Sequence, residues 1–298
     1  MPRRTVVTFE RERMELPDGD FLDLDRIDAG SDRTVVISHG LEGSTRDACV
    51  RGTAAVFREH GWNVIAWNYR GCSGEPNRLP RAYHSGDTAD LAAVVARAAS
   101  PVVALVGFSL GGNLTLKYLG EGAVHPAVSG AVAVSAPIDL ASSARAIDRH
   151  WVNRVYLRRL IVRLMRKIRG KARQFPDRTE FANLAGVRGF EVFDDRFTAP
   201  LHGFASGADY WARCSAKPLL GRIRVPALLV NALDDPFLTP ECFPFDEARN
   251  SGNLFLEAPR HGGHLGFIDT VFQPFTWIER RTFEFLATVP ETRVNVPV

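Results

Sequence analysis

The sequence predicts an α/β fold on a mostly parallel sheet, with a helical insertion set into it. Three observations carry that expectation. Short apolar runs alternate with segments of helical periodicity, the pattern of strands buried on both faces and joined by crossover helices. One such run, Val102-Val103-Ala104-Leu105-Val106, leads straight into Gly107-Phe108-Ser109-Leu110-Gly111 and then into a helical pattern. From residue 140 to 218 the alternation stops, and a basic amphipathic pattern takes its place.

Taken in order, Thr5 to Glu10, Arg11 to Leu16 and Phe21 to Leu24 read as an antiparallel start to the sheet. Pro17-Asp18-Gly19-Asp20 is the turn between the last two. Thr34 to Ser38 is a buried strand running into His39-Gly40-Leu41-Glu42-Gly43-Ser44. A helix over Asp47 to His60 is closed by Gly61. Val64 to Trp67 is the next strand, followed by a loop rich in turn formers, and Asp87 to Ala99 is an Ala-rich helix. After the run at Val102 come strands at Ala131 to Ser135, Ala227 to Val230 and Leu254 to Leu256, and a last helix over Phe272 to Leu286. Residues 1–139 and 219–298 thus form the core and 140–218 a helical lid over the strands' carboxyl ends. Within the lid, Leu157, Leu160, Ile161, Leu164, Met165 and Ile168 fall on one helical face, with Arg158, Arg159, Arg163, Arg166, Lys167 and Arg169 largely off it.

Composition narrows the class. A chain of 298 residues, 45% apolar, has ample core for one large domain. No apolar run approaches the ~18 residues of a transmembrane helix, and no secretory h-region is expected at the start. Cys49, Cys72, Cys214 and Cys242 lack ligand or C-x-x-C spacing and read as free thiols of a reducing, cytoplasmic compartment. The net charge is +3, yet eleven Lys or Arg against Asp148 between Arg145 and Arg173 place +10 in one segment and leave −7 for the remainder. Nucleic acid is therefore not an expected partner. The local basic run has two readings: a solvated lid face, or peripheral contact with an anionic membrane.

The chemistry follows from the serine. A hydroxyl needs a base to take its proton, and the base needs an acid to hold its tautomer. On a strained turn between strand and helix, Ser109 projects above the sheet, with glycines at 107 and 111 where side chains have no room. Downstream, Asn231-Ala232-Leu233-Asp234-Asp235-Pro236-Phe237 offers two acids, and His261-Gly262-Gly263-His264-Leu265-Gly266-Phe267 two bases. Asp235 and His264 are preferred. Asp234 is left as a turn cap or alternative acid, and His261 as a solvated loop residue. The backbone N–H groups of Leu41 and Leu110 are the expected oxyanion donors. No metal-binding pattern accompanies the histidines, so neither metal nor cofactor is expected.

These motifs, together with Asn68-Tyr69-Arg70-Gly71-Cys72-Ser73-Gly74 and Gly111-Gly112-Asn113, resemble the YheT-like branch of the α/β-hydrolases over roughly residues 30 to 270. The resemblance implies an eight-stranded, mostly parallel sheet, a triad of Ser109, Asp235 and His264, and hydrolysis of a small-molecule carboxylic ester. Lipid-like acyl esters are among the candidate substrates. Two other functions share the motifs: an acyltransferase using the same triad, and a non-catalytic ligand-binding module.

Overall fold

The protein is described here by a computed structural model over residues 7–269 and 273–289. Eight strands form one sheet: β1 (Glu10–Glu15), β2 (Phe21–Ile27), β3 (Arg33–Ser38), β4 (Asn63–Asn68), β5 (Val102–Phe108), β6 (Val128–Val134), β7 (Ala227–Val230) and β8 (Leu254–Glu257). Their order is β1-β2-β4-β3-β5-β6-β7-β8. The β1–β2 and β2–β4 pairs are antiparallel, and every later pair is parallel.

Alternation along each central strand divides the core in two. Val36, Val103 and Leu105 point to one face, under α2 (Thr88–Arg97) and α3 (Leu110–Glu121). Val35, Ile37, Ala104 and Val106 point to the other, under α1 (Ala48–Glu59) and the carboxyl-terminal helix (Trp277–Thr288). Every residue of β6 and β7 is buried: β7 is an unbroken apolar run, and in β6 the one polar side chain, Ser129, donates to Val103 O. The outer strand β1 instead alternates Glu and Arg, and Arg11 and Arg13 reach across to Asp25 and Asp23 of β2. Charged side chains on an edge discourage further strand pairing.

The start of the sheet differs from the sequence reading. Of the segment Thr5 to Glu10, Thr5 and Val6 lie outside the described residues, Val7 to Phe9 are irregular, and the ladder begins at Glu10. Val7 is buried in the core beside α1, so its apolar side chain packs without a strand to carry it. The last helix starts at Trp277, where Thr276 and Glu279 form a capping box; Phe272 lies outside the described residues.

Between β6 and β7 the chain makes α4 (Leu140–Arg149), α5 (Arg154–Gln174), α6 (Phe190–Phe193), α7 (Ala199–His202) and α8 (Gly207–Cys214). A single π turn, Asp194–Thr198, joins α6 to α7. These helices have an apolar cluster of their own, built from residues such as Leu140, Phe193, Phe197 and Trp211. The stripe on α5 is part of it: Leu157, Ile161, Leu164, Met165 and Ile168 are buried there, with Leu160 packed alongside. That face is therefore spent on internal packing. Further along, the described residues form the α-helices α9 (Phe245–Arg249) and α10 (Trp277–Thr288).

Candidate active site

Everything at the site hangs on the turn from β5 to α3. Ser109 sits at φ 53° and ψ −117°, a left-handed backbone that a non-glycine residue adopts only when its surroundings enforce it. They do so from both sides. The Ser109 N–H donates to Val134 O at 2.8 Å, and Ser109 O accepts from the N–H groups of Gly112 and Asn113. A Cβ on Gly107 would stand 2.1 Å from Gly111 O, and one on Gly111 would stand 2.5 Å from Ser38 O. Helix, strand and the end of β3 thus approach more closely than any side chain permits. Asn113, wholly buried, fixes the far side: its amide donates to Ser85 O and Cys214 O and accepts from the Ala216 N–H.

The loops after β7 and β8 bring two side chains to the serine. Ser109 Oγ lies 3.1 Å from His264 Nε2, and His264 Nδ1 lies 2.8 Å from Asp235 Oδ2. The carboxylate accepts from Nδ1–H, which leaves Nε2 free to accept from the serine hydroxyl. Asp235 is buried, and its other oxygen accepts from the Phe237 N–H at 2.9 Å. Asp234 does something else. Its Oδ1 accepts from the N–H groups of Gly262 and Gly263, and its Oδ2 faces the exposed His261 at 3.4 Å. The Gly263 N–H is the main reason its carboxyl is held below the usual range. The two acids and two histidines left open by the sequence thus form two separate pairs. One meets Ser109; the other shapes the loop that carries His264.

The loop after β3 lies against the serine from the opposite side. A Cβ on Gly40 would stand 3.4 Å from Ser109 Cβ, so Leu41 follows at the serine's flank. Leu110 opens α3, where an N–H has no acceptor within the helix. Three side chains hold the loop. His39 is fully buried and pushed down to about 3 by that burial, so it is neutral. Its Nδ1–H donates to Gly40 O at 2.7 Å, and its Nε2 accepts from the Tyr69 N–H. The Glu42 N–H donates to the Tyr83 hydroxyl at 2.7 Å, and the Glu42 carboxylate accepts from both Tyr83 and Lys167. Lys167 comes from α5. Neither it nor Tyr83 was singled out in the sequence as a support for this loop. Lys167 was counted with the outward charges, although it stands at the edge of the buried stripe.

Beside these groups lies a cavity of about 840 Å³. Its wall away from the serine is largely apolar, with Leu140, Ile147, Phe190, Phe193 and Leu201 among its residues. Three titratable groups in that wall were also missed. His84 and His202 stack edge-on at 4.6 Å, and burial pushes them down to about 3 and about 2, leaving both neutral. Burial pushes Asp194 up to about 7, against the pull of its bonds from Thr198 Oγ1 and Trp211 Nε1. At the other side the lining residues Tyr156, Arg159, Val162, Arg163 and Arg166 are exposed, which marks the opening. The start of α5 docks here on the acid's loop. Asn153 Nδ2 donates to Pro236 O, Tyr156 packs edge-on to Phe237 at 5.3 Å, and Phe237 packs on His264 at 4.4 Å.

Among the described residues no group of three His, Cys, Asp or Glu is arranged to hold a metal ion, and no helix is long and apolar enough to cross a membrane. Residues 33–271 match the family described as alpha/beta hydrolase fold. The chain is 37% identical over 293 residues to YheT of Escherichia coli (strain K12), covering 95% of this chain and 86% of that protein. It is 26% identical over 302 residues to phospholipase ABHD3 of Mus musculus, covering 96% of this chain and 73% of that one. Among solved structures, the esterase Pf2001 of Pyrococcus furiosus superposes with a TM-score of 0.64 at 20% identity, over 96% of this chain and 93% of that one. At that identity the last likeness speaks for the fold.

Proposed function

The chain belongs to the α/β-hydrolase family, in the branch that includes YheT, and from that premise we propose that it hydrolyses carboxylic esters through an acyl-enzyme formed on Ser109. The observation that carries this reading is the continuous chain Ser109–His264–Asp235, with contacts of 3.1 and 2.8 Å. His264 Nε2 takes the hydroxyl proton as Ser109 Oγ bonds to the ester carbonyl carbon. Asp235 stabilises the imidazolium so formed. The carbonyl oxygen, now negative, is held by the N–H groups of Leu41 and Leu110. Collapse of the tetrahedral adduct breaks the bond to the alkoxy oxygen, and His264 returns its proton to the leaving alcohol. Water then repeats the sequence on the acyl-enzyme and releases the carboxylic acid.

Residues 140–218 act in this reading as the lid, since its helices supply most of the apolar wall opposite Ser109. Such a wall suits a hydrocarbon acyl chain better than a polar one. Relatives named phospholipase and monoacylglycerol lipase agree with a lipid-like ester. The test has two arms. A fluorophosphonate probe should label the wild-type chain and not Ser109→Ala. Turnover of p-nitrophenyl esters of graded length should fall in Ser109→Ala by ~10⁶-fold in kcat, as for other triad nucleophiles. Labelling that survives the substitution would rule Ser109 out. Running the assay with an added alcohol separates hydrolysis from acyl transfer, since a transferase would make ester in preference to acid.

A further inference from the structure

Once its apolar stripe is buried, α5 still has an outer face, and that face is unusual. Val155, Arg159, Val162 and Arg166 recur at helical spacing and are all exposed. Trp151 and Val152 extend the same surface from the turn before the helix, and Tyr156 flanks it. Trp151 is 76% exposed and Val155 68%, high values for large apolar side chains that could have been placed inward. Around them stand Arg154, Arg158 and Arg163. No acidic residue lies anywhere in α5, and among the described residues none of these five arginines is in an ion pair. Lys167 and Lys171, by contrast, turn inward, to Glu42 and to the carbonyls of Asn77 and Leu79.

We propose that this face of α5, with Trp151 and Val152, docks the protein on the surface of an anionic lipid bilayer, with the cavity opening against the membrane. A bilayer fits both halves of the surface. Its headgroups complement unpaired arginines, and its interface accepts Trp, Tyr and valine side chains that water does not. The position argues for it as well. Tyr156, Arg159, Val162 and Arg163 belong both to this face and to the cavity lining, so a docked chain would present its opening to the lipid phase. Leu233 and Ile268, on the loops that carry Asp235 and His264, are also exposed large apolar residues. The proposal deepens the esterase reading by naming where the substrate comes from, and its delivery of substrate rests on that reading.

The experiment is flotation of the full chain with vesicles of phosphatidylcholine alone and of phosphatidylcholine mixed with phosphatidylglycerol. Salt is set at about 0.01 M and about 0.15 M, where screening lengths are roughly 30 and 8 Å. Binding is expected to the anionic vesicles, stronger at low salt. Arg154→Gln with Arg158→Gln should lower partitioning by about fivefold per arginine. Trp151→Ser with Val155→Ser should lower it further even at high salt. None of these four residues lines the cavity, so hydrolysis of a soluble short-chain ester serves as the folding control. Equal binding to neutral and anionic vesicles, no binding to either, or wild-type binding by both double variants would overturn the proposal. Ser109→Ala keeps the two readings apart. It should float as the wild type does, and an inactive wild type that still floats would remove the esterase reading and leave the surface standing.

Discussion

The turn at Ser109 and the outer face of α5 are both glycine- or arginine-marked stretches of a helix, and they are governed by opposite rules. At the turn, a Cβ on Gly111 would collide with backbone at 2.5 Å, and the serine is held at φ 53° by neighbours on every side. On α5, a Cβ on Gly170 meets nothing within 4 Å, and the arginines of the outer face have no ion-pair partner among the described residues. The first region has one solution for its backbone; the second tolerates many for its side chains. Positioned chemistry needs the former, and adjustable contact with a fluid surface needs the latter.

After the loss expected for Ser109→Ala, the largest effect should come from Asp235, the carboxylate bonded to His264. Asp235→Asn leaves the loop's shape but offers His264 an amide, favouring the wrong tautomer. A fall in kcat of ~10⁴ is expected, as for the same change in a serine protease triad. Asp234→Asn should cost about tenfold or less, through a looser histidine loop. Steady-state kinetics on one soluble ester decides it, and comparable losses at the two positions would place the acid elsewhere.

Next in size is a pH effect among the helices between β6 and β7. Asp194 is buried and raised to about 7, against ~3.9 in an unfolded chain. Between those values the folded state holds a proton that the unfolded state has lost, so the contribution of Asp194 to stability falls as pH rises from about 4 to about 7 and is flat above. The upper bound is about 4 kcal/mol. Asn at 194 copies the neutral acid: its amide can give to Thr198 and accept from Trp211. The stability of the wild type relative to Asp194→Asn should therefore decline across that window in parallel urea melts. A difference independent of pH would mean that Asp194 is ionised throughout.

How much of this was legible follows the same division. Strand, turn and helix around Ser109 could be read because Gly107 answers to Gly111 and Thr115 within a few residues, although Gly111 itself answers to Ser38 and His39 on a distant strand end. The α5 stripe could be read because periodicity reports burial. What covers that stripe could not, since Phe193, Phe197 and Trp211 are brought to it by folding over long separations. Adjacent Asp234 and Asp235 differ only in which way the loop turns them. Tyr83 and Lys167 hold Glu42 from 41 and 125 residues away, and nothing local marks either as a support. His84, His202 and Asp194 acquire their character from burial alone, which the order of residues does not display.

Two glycine substitutions put the comparison on one scale. Gly111→Ala forces a methyl into backbone that has no flexible atom to give, since the contacts are Ser38 O and His39 O. A loss of about 3 kcal/mol is expected, at the upper end for overpacked sites, with activity falling as the turn shifts. Gly170→Ala is the smallest effect and has the opposite sign. Gly170 lies inside the 21-residue α5, at a helical position with open space around it. A glycine there costs about 1 kcal/mol relative to alanine, because its unfolded chain is freer and the helix gains nothing in exchange. Alanine should therefore raise stability by up to that amount, with no change in kcat on a soluble ester, since Gly170 does not line the cavity beside Ser109. Vesicle binding should also be unchanged, because Gly170 adds neither charge nor apolar area to the outer face. A lower melting temperature for Gly170→Ala would mean that α5 is packed on the side now described as open, and the contrast between the two helices would fail at that point.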